Sequence, residues 1–163
     1  MARALLSLGS NVDPLRHLQV AAQALRERFG VTVRLSAIHR YPAVGFDGGD
    51  FLNAAAVIDS DLDPHALNNW LHALEDAHGR DRSGPRLGDR TLDIDIVYYD
   101  DLVLEGAGNL KLPRPEIRHA FVLKPLAEIA PCFIDPVQRE SLAALWALHP
   151  DHDTHFDPVD WNG

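Results

Sequence analysis

Hydrophobic positions along this chain repeat with two alternating periods, and turn residues mark where one period gives way to the other. Residues 4–8 form a short apolar run that stops at Gly9-Ser10-Asn11, which predicts a strand followed by a turn. Asp13-Pro14 places a good N-cap before the residue favoured in the first helical position. Leu15, Leu18, Ala22, Leu25 and Phe29 then recur at helical spacing until Gly30 ends the helix. From residue 31 to 41 the period becomes two, with Val31, Val33, Leu35 and Ala37 on alternate positions, so a strand is predicted. Residues 42–50, with Pro42, Gly45, Gly48 and Gly49, read as a mobile loop, and 51–58 as a third strand. Asp63-Pro64 repeats the cap signal ahead of Leu67, Trp70, Leu71 and Leu74, a second helix reaching His78. The last strand covers 92–99, where Leu92, Ile94 and Ile96 alternate with Asp93 and Asp95.

The order β-α-β-β-α-β predicts an α+β fold of the ferredoxin-like kind, an antiparallel sheet with helices packed on it. Further helical segments are predicted at 120–130, interrupted at Lys124-Pro125, and at 141–149. No internal repeat or interdomain linker breaks the chain, so residues 1–163 are read as a single domain, with 151–163 a loosely packed polar tail. The length suffices for a core of its own.

Charge narrows the function. The chain carries 24 Asp and Glu against 15 Lys and Arg, a net charge of −9, which argues against a nucleic-acid or anionic-membrane binder. The single cysteine, Cys132, permits no intrachain disulfide and fits a cytoplasmic setting. The apolar run at the N-terminus is too short for a signal peptide, and no stretch reaches the length of a membrane span.

Against this acidic background, Arg80, Arg82, Arg86 and Arg90 crowd into a glycine-punctuated loop that runs straight into the Asp93-Ile94-Asp95 strand. Side chains two apart on a strand share a face, so the two carboxylates lie roughly 7 Å apart at the backbone. Like charges that close repel unless a cation sits between them. A hard ion such as Mg²⁺ takes carboxylates together with substrate phosphates, and guanidinium groups bind phosphate oxygens bidentately. Metal carboxylates beside phosphate-binding arginines suggest phosphoryl transfer. A wet strand face and a solvated loop would account for the same residues without any ligand.

Four segments, in order and spacing, resemble 6-hydroxymethyl-7,8-dihydropterin pyrophosphokinases of folate biosynthesis. These are Leu8-Gly9-Ser10-Asn11, Phe51-Leu52-Asn53-Ala54-Ala55, the arginine loop with its Asp-x-Asp strand, and the Phe121-Val122-Leu123-x-Pro125-Leu126-x-Glu128-Ile129-Ala130-Pro131 stretch. The resemblance implies that a pterin hydroxymethyl oxygen attacks the β-phosphorus of ATP and releases AMP. It assigns two Mg²⁺ ions to Asp93 and Asp95, with Asp95 also the nearest candidate for a general base. Phosphate and nucleotide contacts fall to Arg80, Arg82, Arg86, Arg90, Arg114 and Arg118, with Glu75 on the nucleotide side; Arg80, Arg82, Arg90 and Asp95 are the expected catalytic group. Phe51 and Phe121 would sandwich the pterin, Asn53 would bond its amide-like edge, and Tyr41, Pro42, Ala43 and Val44 would line it. The substrates are small molecules, and a monomer is expected.

The chain departs from the family pattern in two places. Leu87-Gly88-Asp89-Arg90 stands where the family reads Trp-Gly-Pro-Arg, and Pro113-Arg114-Pro115-Glu116-Ile117-Arg118-His119-Ala120-Phe121 is one residue short, with Arg114 in place of a histidine and His119 in place of an arginine. These departures keep open a divergent paralogue acting on a related pterin, or a non-catalytic nucleotide- or pterin-binding domain. RNA binding, open to other domains of the same strand order, lacks its basic aromatic surface here. A transition-metal site among the nine histidines lacks framing ligands, and 151–155 reads as a polar tail.

Overall fold

The structure, a computed structural model, describes residues 1–43, 49–79, 91–106 and 110–163. Its elements are β1 (Ala2–Ser10), α1 (Pro14–Phe29), β2 (Arg34–Leu35), β3 (Ile38–Tyr41), β4 (Phe51–Ser60), α2 (Pro64–Ala77), β5 (Asp93–Tyr99), β6 (Leu104–Glu105), β7 (Lys111–Leu112), α3 (Ala120–Ile129), α4 (Leu142–Ala147) and β8 (Pro158–Val159). A 3-10 turn, Pro115–Arg118, precedes α3. The main sheet runs β5-β1-β4-β3-β8, with β2 also on β4, and every pairing is antiparallel. The first four strands in that path are the ferredoxin-like arrangement expected from the sequence.

Alternation along β1 and β4 builds two cores. Leu6, Leu8, Ala54, Ala56 and Ile58 pack with Leu18 and Leu25 of α1 and Leu67 and Leu71 of α2. Leu5, Ala55 and Val57 face the other way, against Val122, Leu123 and Leu126 of α3 and Leu142 of α4. The C-terminal helices thus cover the second face of the sheet, which a single-faced ferredoxin-like core would leave open. Pro125 does not interrupt α3. Its neighbours Leu123 and Leu126 are buried on the sheet, and that burial outweighs one lost backbone bond. Among the described residues, no helix is long and apolar enough to cross a membrane.

Two irregularities were invisible in the hydrophobic pattern. The segment read as one strand over 31–41 is two, because the register on β4 slips by one residue between Leu35↔Ala56 and His39↔Asn53. Ser36 sits at the slip, its hydroxyl accepting the Ala55 amide at 2.8 Å. The extra residue turns Ala37 outward, buries Ile38, and swings His39 and Tyr41 onto the α3 face. A second slip, between Leu5↔Tyr98 and Leu6↔Ile96, puts Val97 and Tyr98 together in the α3 core.

The caps divide as well. Asp63 caps α2 through Ala66, but Asp13 lies in the left-handed region, where its side chain caps nothing and instead pairs with Arg16 at 3.1 Å. The tail expected to pack loosely is in part docked: Ile38↔Val159 and His39↔Pro158 extend the sheet, and the Trp161 indole donates to the Ser36 carbonyl at 2.8 Å.

Behind α4, the buried Tyr98 hydroxyl donates to Asp135 Oδ2 at 2.6 Å, while Asp135 Oδ1 accepts the Val137 and Gln138 amides. A hydrogen bond to a charged acceptor contributes about 1.5–3 kcal/mol. Tyr98→Phe should lower the unfolding free energy by about that much, read by urea denaturation, with substrate affinity unchanged.

Candidate active site

On the α3 side the sheet changes character halfway along its strands. Leu5, Ala55, Val57 and Val97 are apolar and covered. The next positions on the same face are Ser7, Gly9, Asn53, Asp93 and Asp95, which the register aligns: Asp95 opposite Ser7, and Asp93 opposite Gly9, itself opposite Asn53, itself opposite His39. Gly9 makes room for Asn53 here, since a Cβ would come within 2.6 Å of Asn53 Nδ2 and displace that amide. In that space the Asn53 amide donates to the Leu8 carbonyl at 3.3 Å. Asn53 Oδ1 is buried with no partner among the described residues, as are Tyr41 Oη and His39 Nδ1. Buried polar atoms of this kind are uncommon and need an explanation, commonly a ligand or water.

Glu75, Asp93 and Asp95 each offer an oxygen within 4.8 Å of the others. Glu75 arrives from α2, where it extends the buried stripe Leu67, Leu71, Glu75. It is 1% exposed, and its carboxylate accepts the Ile94 amide at 2.8 Å. A solvated helix face, the ordinary expectation for a glutamate, is therefore wrong for this one. The i, i+4, i+8 spacing from Leu67 was the signal that could have found it. Burial, first, and then the neighbouring Asp93 carboxylate push the Asp95 carboxyl well above its ordinary value, with Glu75 and Glu116 adding to the effect and Arg114 opposing it. Three hard oxygen donors at this spacing suit Mg²⁺.

Arg114 is aimed at the cluster by its backbone. The Val97 carbonyl at the β5 slip accepts the Arg114 amide at 3.0 Å, and the guanidinium lies 3.1 Å from Asp95 Oδ1 and 3.4 Å from Glu116. Glu116 was not foreseen in this role. Phe121, at the first turn of α3, is half-buried and lies against the His119 ring at 5.1 Å and 13°. Burial, then Arg118, lowers the His119 pKa. Tyr41 is the cross-strand register partner of Phe51 and meets the Phe121 ring at 6.5 Å, so it neighbours both aromatic candidates. Phe51 is half-buried, Pro42 exposed and Ala43 half-buried beside Tyr41. The Arg118 side chain is exposed, and its carbonyl bonds the His149 ring at 2.8 Å. Val44, Arg80, Arg82, Arg86 and Arg90 lie outside the described residues.

A raised Asp95 pKa means that the folded, metal-free protein binds this proton more tightly than the unfolded chain. Stability from that proton is full below the ordinary carboxylate value and is lost as pH rises through the raised value. Asp95→Asn should therefore stabilise the protein in chelator at pH 8, and the gain should shrink as pH falls towards the ordinary carboxylate range. Urea midpoints across that range check the sign.

The family model described as 7,8-dihydro-6-hydroxymethylpterin-pyrophosphokinase (HPPK) matches residues 5–131. The chain is 42% identical over 151 residues to the 2-amino-4-hydroxy-6-hydroxymethyldihydropteridine pyrophosphokinase of Methylorubrum extorquens, covering 89% of this chain and 94% of that relative. It is 36% identical over 159 residues to the Synechocystis protein of the same name, covering 90% and 80%. The HPPK-DHPS of Plasmodium falciparum, solved with pterin and p-hydrobenzoate, shares the fold at a TM-score of 0.71 and 12% identity, over 90% of this chain and 41% of that longer one. The chain thus belongs to the 7,8-dihydro-6-hydroxymethylpterin-pyrophosphokinase family.

Proposed function

We infer that the protein transfers a pyrophosphoryl group from ATP to 6-hydroxymethyl-7,8-dihydropterin in folate biosynthesis. The hydroxymethyl oxygen forms a bond to the β-phosphorus, the bond from that phosphorus to the oxygen bridging it to the α-phosphorus breaks, the hydroxyl proton leaves, and AMP departs with the bridging oxygen. The observation that carries this reading is that, in a family member, Asp93, Asp95 and the Asn53 carbonyl, unpartnered among the described residues, share one sheet face, with the Glu75 carboxylate reaching the two aspartates from α2.

Asp93 and Asp95, with Glu75 beside them, would hold two Mg²⁺ ions, which when bound neutralise phosphate charge at the point of transfer. Arg114, now paired with Asp95, is within reach of whatever those carboxylates hold, and it turns to phosphate oxygens. Arg80, Arg82, Arg86, Arg90 and Arg118 complete the cationic side. Phe51 and Phe121 sandwich the pterin ring, Asn53 bonds its amide edge, and the backbone of 41–44 lines it. Holding the two reactants in line supplies much of the rate. The protein works as a cytoplasmic monomer in this reading.

AMP release from MgATP should require the dihydropterin. Asp95→Ala should reduce kcat by about a thousandfold, because each 1.36 kcal/mol of lost charge stabilisation is a factor of ten and a metal ligand supplies several. Asn53→Ala should instead raise the pterin KM by roughly ten- to a hundredfold, the cost of one unmet buried polar group on the ligand. Pterin binding without AMP release in the wild type would favour the substrate-shifted paralogue or the non-catalytic binding domain.

A further inference from the structure

We propose that Phe156, in the C-terminal segment, is a positioning residue for the pterin: it fixes Tyr41 and, through Tyr41, the two aromatic plates. The proposal rests on the pterin site inferred above. The family match ends at residue 131, so nothing in it assigns a role to this segment.

The geometry is a chain of three rings. Phe156 lies 4.6 Å from Tyr41 at 40°, and Tyr41 meets Phe121 nearly edge-on, at 6.5 Å and 64°. Tyr41 is also the register partner of Phe51. It is 2% exposed, and its hydroxyl has no partner among the described residues. Among the described residues no hydrogen bond from its hydroxyl orients this ring, and packing against Phe121 and Phe156 does so. Aromatic pairs favour tilted or edge-on contacts of this kind, so loss of the outer ring frees Tyr41 to shift and lets Phe121 follow.

The segment that carries Phe156, just ahead of β8, is anchored without it. The Arg40 amide donates to the Asp157 carbonyl at 2.8 Å. Pro158 and Val159 pair with His39 and Ile38. The Trp161 indole bonds Ser36 at 2.8 Å, and Gln19 bonds the Trp161 carbonyl at 2.6 Å. Truncating Phe156 alone should leave this segment in place, so the ring's effect on the site is separable from docking of the tail.

The test is calorimetric titration of the full chain with 6-hydroxymethyl-7,8-dihydropterin, with Mg²⁺ and an α,β-methylene ATP analogue present, alongside titration of the analogue itself. Phe156→Ala should weaken pterin binding by about three- to tenfold, the range of one aromatic contact. Affinity for the ATP analogue and kcat at saturating pterin should stay within about twofold of the wild type, and Phe156→Tyr should restore pterin affinity. Should Phe156→Ala fail to fold, Phe156→Leu keeps much of the apolar volume without the ring and carries the same expectation. Unchanged pterin affinity in a folded variant, or equal losses for pterin and nucleotide, overturns the proposal and leaves the pyrophosphokinase reading standing. A wild type that binds no pterin overturns both.

Discussion

The register of β1 is the constraint on which the site depends. This strand pairs with β4 over nine consecutive residues and with β5 on its other side. The pairing brings Asp93, Gly9, Asn53 and His39 into one row across four strands. A slip of one residue on β1 would send Ser7 and Gly9 into the α1 and α2 core and bring Leu6 and Leu8 to the polar face. Burial of those leucines, both fully enclosed, therefore holds the polar row in place. The hydrophobic effect sets the position of groups that take no part in it.

The polar row creates an electrostatic difficulty that shapes the rest of the site. Three carboxylates within 4.8 Å of one another, one of them fully buried, are costly to keep charged. Arg114 answers part of that charge, and it can do so because the slip in β5 leaves the Val97 carbonyl to hold its backbone. Glu116 sits on the far side of the same guanidinium. A divalent cation would answer the charge more fully, and a carboxylate held partly unsatisfied is a better ligand for one. The same economy of partners holds at the aromatic end, where Tyr41 has ring neighbours but no hydrogen-bond partner among the described residues.

Much of this was legible in the chain itself. Short apolar runs bounded by turns located β1 and β4, which are buried on both faces, and alternation or helical spacing located β5, α1 and α2, whose burial writes its period into the residues. Asp93 and Asp95 had to share a face, since alternation on a strand admits nothing else. The resemblance to pyrophosphokinases needed only motif order, and the family match bears it out. The tertiary structure alone decided three other things. Ser36 inserts one residue against β4 and so places His39 and Tyr41 on the polar face; alternation counted from Val31 put that face elsewhere, because a bulge is a property of two paired strands. Glu75 became a member of the acidic cluster only when α2 packed beside β5. Phe156 reached Tyr41 across more than a hundred residues of chain. Local periodicity carries no information about which distant segments meet, and each of these three is settled by such a meeting.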